Sequence, residues 1–336
     1  IVSRDWSSDV CSSDLSRKEV NRMLFHHHKM HQDSRLENET MALEEMRELR
    51  DDFALRGRCE MFRVNLHSMA AAHQLHQGTN LRGHQVWAKL VHFQRLLTIR
   101  NVHPAEEDED ILQFFREHHD PSIFMERHAM KRAEFRKLIS PLVRSGHLVQ
   151  DYRGGFKTVE PMQNTDLWEV KRDYLRELVS DYPVISLKQV ERLAGSPFSA
   201  EEISDVMHEF EEDGTLIKGF LVDDLQDICW GRQDLLEGLK GIRKTRDLVV
   251  PPSDTMIHYF GGLLRERFGY GSAYMVFHDE EAIAAFKANT RDGTIEVTDF
   301  VGDSDLEKEA LRVMKEFAWE HDMPLTGELY EKLRSR

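Results

Sequence analysis

The sequence predicts an α+β protein: a mainly helical N-terminal part, two tandem helix-and-hairpin units, and a C-terminal α-β-β-β-α domain. Three observations carry that expectation. Lys131 to Val159, KRAEFRKLISPLVRSGHLVQDYRGGFKTV, passes from helical apolar spacing into two short strands around Arg153-Gly154-Gly155. The same pattern returns 68 residues later, from Ile203 to Phe220. Three strand-like runs, Ala273 to His278, Ala282 to Ala288 and Thr294 to Val301, then crowd into the last third of the chain.

Composition sets the outer limits. The 336 residues suffice for two or three small domains, with 40 % apolar and 31 % charged residues, as in ordinary globular chains. No run approaches the roughly 18 to 20 apolar residues of a membrane span, so no membrane contact is expected. The net charge of −15 argues against a uniformly basic coat, and any contact with nucleic acid has to be local. Three cysteines exclude a disulfide framework and fit a reducing, cytoplasmic setting.

Asp5 to Leu15 reads DWSSDVCSSDL and is identified as the translation of a common short-read sequencing adapter. Residues 1–15 are therefore expected to lie outside the fold, with the natural chain starting near Ser16 and its true N-terminus missing. Residues 16–104 read as a helical region. Leu43, Met46, Leu49 and Phe53, then Val86, Leu90, Phe93 and Leu97, follow 3–4 spacing on either side of a break from His76 to His84. His26, His27, His28 and His31 cluster early, and His27 and His31 stand one turn apart. No HExxH pattern or paired-cysteine motif accompanies them, so a solvated helix face is the plainer reading and no metal is expected.

The acidic run Pro104 to Asp110 marks a boundary. From there 105–162 forms a basic unit, 163–236 an acidic one, and 247–336 the C-terminal domain. In the basic unit Ile111 to Phe115 begins a helix that Asp120-Pro121 should end. Phe135, Leu138, Ile139 and Leu142 then share one face, Gly146 suits a left-handed cap, and Pro141 should kink the helix or restart it. Ser186 and the Ser199/Glu202 pair cap helices of the second unit. After a basic linker (Lys240, Arg243, Lys244, Arg246), Thr255 to Phe268 reads as one helix, and Ser304/Glu307 as a further capping box ahead of Leu311, Met314, Phe317 and Ala318.

The two copies differ in charge. Pro121 to Glu160 holds eight Lys/Arg against four Asp/Glu, a net of +4, whereas Trp168 to Trp230 holds six against fifteen, a net of −9. Lys137 becomes Asp205 and Arg144 becomes Glu212 at matched positions, and Asp223, Asp224 and Asp227 follow in the second wing. Only the first copy suits a polyanion. Its candidate nucleic-acid contacts are Lys131, Arg132, Arg136, Lys137, Arg144, Arg153 and Lys157, which would neutralise phosphate without reading sequence. Tyr152 and Phe156 either stack on a base or brace the hairpin. The acidic copy would meet protein. The chain has no GxxxxGK[ST] loop and no GxSxG elbow, and Cys59 and Cys229 read as buried apolar groups, so no cofactor and no catalytic residue is assigned.

A helix with such a hairpin is the reading unit of winged-helix domains. The stretch from about Pro121 to Trp319 resembles the tandem winged-helix and C-terminal region of two families, the large helicase-related (Lhr) proteins and the YcaQ-type DNA glycosylases. The resemblance rests on LVRSGHLV (142–149), DGTLIKGFLV (213–222), ICW (228–230), and the late sheet AIAAFK with GTIEV. The helicases carry Trp-Cys where this chain has Cys229-Trp230. The glycosylases use a Gln-x-Asp or Gln-x-Gln motif in catalysis, and neither spacing occurs here. The resemblance implies an accessory fragment of a DNA-processing protein, most like an Lhr-type helicase whose motor is missing. A glycosylase for alkylated bases is the alternative, and a protein-interaction scaffold the third reading.

Overall fold

The computed structural model describes residues 15–31, 34–59, 65–222, 227–244 and 247–335. It is an α+β fold in which three sheets are wrapped by helices. The adapter-like residues lie outside the described range except Leu15. That residue bridges to Val222 and packs against the cluster of Val20, Val184 and Cys229, so it is part of the fold.

The N-terminal part starts with α1 (Arg17–His27), whose capping box pairs Ser16 with Glu19. Next come α2 (Glu39–Glu45), α3 (Asp52–Arg56) and α4 (Leu66–His73). The spacing of Leu43, Met46, Leu49 and Phe53 suggested one helix, but the chain leaves helical geometry at Met46 and restarts at Asp52, because Asp51 caps the Ala54 amide at 3.1 Å. The expected break at 76–84 is instead a β-hairpin, β1 (His76–Thr79) and β2 (Gln85–Ala88). Asn80 makes its turn by accepting from the amides of Arg82 and His84 at 3.1 and 3.0 Å. Four-residue strands with little apolar alternation carry no period to read. α5 (Leu90–Arg100) follows.

The basic unit holds α6 (Glu109–Glu117), α7 (Pro121–Arg127), α8 (Arg132–Ser145), β3 (Leu148–Asp151) and β4 (Phe156–Thr158). Asp120-Pro121 opens α7 as well as closing off α6: Asp120 accepts from the Ser122 amide at 2.8 Å, and proline suits a first helical position, where its missing N–H costs nothing. α8 runs unbroken through Pro141. Its apolar face meets α6 and α7 in a phenylalanine cluster of Phe114, Phe115, Phe124, Phe135 and Phe156. β3 also pairs with β1, so the early hairpin and the wing form one sheet, in the order β2-β1-β3-β4. Gly78 permits that join, because a Cβ there would lie 2.6 Å from Phe93 and 2.8 Å from Val149.

The second unit repeats the plan with α9 (Leu167–Ser180), β5 (Val184–Ser186), α10 (Leu187–Ala194), α11 (Ala200–Glu212), β6 (Leu216–Gly219) and β7 (Cys229–Arg232). Both expected caps form, at Ser186 and at Ser199 with Glu202. Gly146 and Gly214, one at the end of each matched helix, have φ of 92° and 77°. Of the second wing's acids, Asp223 and Asp224 lie outside the described residues, as does Arg246 of the basic linker.

After α12 (Gln233–Gly238) and β8 (Leu248–Val250), the expected single helix is two, α13 (Met256–Tyr259) and α14 (Gly261–Phe268). β9 (Tyr274–His278), β10 (Glu281–Arg291) and β11 (Thr294–Gly302) form the expected meander. β8 and β12 (Leu325–Thr326) extend it to five strands, β12-β11-β10-β9-β8. α15 (Glu307–Glu320) packs Leu311, Met314, Phe317 and Ala318 on this sheet, and α16 (Glu328–Arg334) closes the chain. The Ser304/Glu307 box does not form, because Ser304 sits in a 3-10 turn and bonds Asp305. No helix among the described residues is long and apolar enough to cross a membrane.

Candidate nucleic-acid interface and central cleft

The exposed side of α8 presents Lys131, Arg132, Arg136, Lys137 and Arg144. Among the described residues no carboxylate forms an ion pair with Lys131, Arg132, Arg136 or Lys137, and Arg144 bonds the Ser140 carbonyl at 3.4 Å. Arg132 and Arg136, one turn apart, join Arg153 around a groove of 760 Å³ between α8, the start of α7 and the wing tip.

The wing tip is firmly held. Asp151 Oδ1 accepts from the amides of Arg153 and Gly155, both at 2.8 Å. A Cβ on Gly155 would lie 2.9 Å from Asp151 Oδ2 and 3.1 Å from the His119 carbonyl, so this position favours glycine. His119 accepts from the Phe156 amide at 2.8 Å, and its Nδ1 meets the Phe156 carbonyl at 3.0 Å, which ties the wing to the α6–α7 connection.

Two of the sequence-derived candidates take different places. Phe156 is buried in the phenylalanine cluster, which removes the base-stacking alternative: it braces the hairpin. Tyr152 turns towards the N-terminal cluster of Leu49 and Leu75, with its hydroxyl accepting from Arg153 Nε at 2.8 Å and the Arg153 guanidinium 5.2 Å from its ring centre. Lys157 is half-buried on β4. Burial lowers the pKa of His76, and the charge of Lys157 adds to that shift.

In the acidic unit several acids are neutralised at home. Glu202 pairs with Lys171 at 2.7 Å, Glu211 with Lys218 at 3.6 Å, and Asp227 with Lys188 at 3.3 Å. Asp205 and Glu212 stay exposed where the basic copy has Lys137 and Arg144. The early histidines spread apart in role: the His28 ring lies 5.2 Å from that of Tyr182, tilted by 50°, and His31 Nε2 lies 3.2 Å from the Lys244 carbonyl. Among the described residues no group of three or more His, Cys, Asp or Glu could hold a metal.

Sequence reasoning missed a second site. A cleft of 120 Å³ lies where the end of α1, the loop after α2, the β1–β2 turn, α5 and α9 converge, with Glu48, Arg82, His92 and Asp181 on its walls. Glu48 accepts from Asn80 Nδ2 at 2.7 Å and meets His92 Nε2 at 3.0 Å. Burial alone would raise the Glu48 pKa. The hydrogen bond and charge of His92, the charge of Arg82 and the Asn80 bond outweigh it and hold the carboxyl at about 2. Asp181 keeps 43 % of its side chain accessible and lies 3.4 Å from Arg47. The cleft walls push its pKa up to about 6, against the pull of Arg47. Met46, Arg47 and His92 also line a second groove of 530 Å³ that carries Trp87, so a wider, more apolar mouth adjoins the polar cleft. No short motif announces this site, because Glu48 and Asp181 alone stand 133 positions apart and the lining runs from His27 to Thr255.

No family model matches the chain, and no curated protein matches it in sequence. Among solved structures a similar fold occurs in a DNA glycosylase. The Streptomyces sahachiroi DNA glycosylase AlkZ superposes with a TM-score of 0.67 at 11 % identity, over 93 % of this chain and 99 % of that one.

Proposed function

We propose that this chain is a DNA-binding protein of the glycosylase type, holding duplex DNA on the basic face of α8 and the first wing and releasing a damaged base from it. The observation that carries the DNA contact is the groove ringed by Arg132, Arg136 and Arg153, whose neighbouring cations Lys131 and Lys137 lack carboxylate partners among the described residues. Phosphate contacts from such groups give affinity through counterion release. The glycosylase reading is favoured over a helicase accessory because the likeness to AlkZ spans 99 % of that chain, which accounts for the architecture without a motor. Bases inside a duplex are out of reach of an enzyme, so base release would require the target nucleotide to be extruded.

The test has two arms. The protein is titrated onto plain and alkylated duplex DNA at low salt, and free base and abasic sites are then measured. Binding with base release supports the whole reading. Binding without base release leaves a DNA-binding protein and removes the enzyme, and absence of binding removes both.

A further inference from the structure

We infer that the central cleft is the reaction centre of this chain and that Glu48 is its catalytic carboxylate, facing the sugar of an extruded nucleotide. The inference rests on the reading that the chain acts on DNA. It answers the gap left by the missing glutamine motif with a group that the fold itself assembles.

Four observations support it. Glu48 has 11 % of its side chain exposed and is braced on both oxygens, by His92 and by Asn80. Asn80 is itself fixed, since its Oδ1 holds the β1–β2 turn. This rigidity matters because a charge stabilises a transition state best when it need not reorganise. The Nε2 atom of His28, on the same cleft, is out of solvent and meets no hydrogen-bond partner, which leaves a polar atom for a ligand to satisfy. The adjoining groove has a half-buried Trp87 and exposed Val91, a surface suited to the flat face of a base.

The chemistry balances with water as co-reactant. The C1′–N bond breaks and its electron pair leaves on the base nitrogen, so positive charge develops on C1′ and the ring oxygen. The ionised Glu48 opposes that charge, as carboxylates do in other glycoside cleavages. Water then bonds to C1′, and its proton goes to Asp181 and from there to the departing base, or to solvent when the base leaves neutral. The held-down pKa of Glu48 suits the first role, and the solvent-accessible carboxylate of Asp181 on the same cleft wall suits the second.

The test reads charge at the sugar and does not depend on which base is removed. Two duplexes are compared, one carrying a protonated pyrrolidine in place of a deoxyribose and one carrying the neutral tetrahydrofuran. The wild type should bind the charged-sugar duplex about tenfold or more tightly, as expected for a close charge pair out of bulk water. Glu48→Gln should bring that ratio near one. Replacing Arg132, Arg136 and Lys137 should weaken both duplexes and leave the ratio. Trp319→Ala, on an 80 % exposed residue, should change neither. If Glu48→Gln melts too low for assay, the Glu48 carboxyl carbon resonance of the wild type decides: it should shift with the charged-sugar duplex and not with the neutral one. An unchanged ratio in Glu48→Gln, equal binding of both duplexes by the wild type, or equal resonance shifts overturns the inference while DNA contact stands. Failure to bind either duplex overturns the proposed function, and the inference falls with it.

Discussion

The guanidinium of Arg100 fills the space that a side chain on Gly146 would need: a Cβ there would collide with Arg100 Nη1. From that position Arg100 donates to the carbonyls of Thr79 and Asn80, both at 2.7 Å, and of Ser145 at 3.2 Å. One side chain thus joins the end of α5, the turn that carries Asn80, and the C-terminus of the basic helix. The candidate DNA face and the cleft are fastened to each other through it.

Gly146→Ala tests that fastening. Gly146 has φ of +92°, so alanine meets backbone strain of about 1–3 kcal/mol before any clash with Arg100 is counted. A lower melting temperature is expected, with a larger drop than for Gly214→Ala, where φ is 77° and a Cβ would meet nothing within 4 Å. Equal drops in a thermal melt would show that Arg100 is not the obstacle.

The basic face makes a salt-dependent prediction. Changing Arg132, Arg136 and Lys137 to Glu should weaken duplex binding at every sequence tested. If each contacts one phosphate, the slope of log affinity against log salt should become shallower by about 3. The check is a binding titration across salt concentrations, and an unchanged slope would place the DNA elsewhere.

Phe115 is fully buried among Phe114, Phe124, Phe135 and Phe156. Phe115→Ala should cost about 3–5 kcal/mol, the range for truncating a core aromatic ring. Because this cluster seats α8 and β4, DNA affinity should fall together with stability in denaturant unfolding and binding assays.

Acid should loosen the C-terminal domain through His321. This ring is buried against Phe53 and Phe317, at 4.8 and 4.4 Å, and burial lowers its pKa to about 3, with Arg56 and Arg35 adding to the shift. The unfolded chain therefore binds a proton that the folded chain refuses. Stability from this group is full above about pH 6.5 and declines as pH falls towards 3, by up to about 1.4 kcal/mol per pH unit. His321→Phe should flatten unfolding free energy against pH over that window. An identical slope in the variant would assign the acid sensitivity to other groups.

Much of the fold was legible because its signals are local. Apolar spacing located α8, α11 and α15, the Ser199/Glu202 pair marked a real helix start, and glycine marked the left-handed end at Gly146. Where a local signal misled, a neighbouring polar group had taken the backbone bond. Asp51 restarted a helix that spacing had run together, and Asn80 turned an apparent loop into a hairpin. Tyr152 and Phe156 stand side by side with the wing's cations in sequence, yet packing took one to the N-terminal cluster and the other into the phenylalanine core.

The sequence by itself determined that a helix-and-hairpin plan occurs twice and that the basic candidates belong to one copy, since composition and period survive in a linear string. Only the tertiary structure decided that the early hairpin completes the first wing's sheet, and that Glu48, His92 and Asp181 face one cleft. Those relationships depend on backbone pairing and packing between segments far apart in the chain, where neither periodicity nor spacing extends.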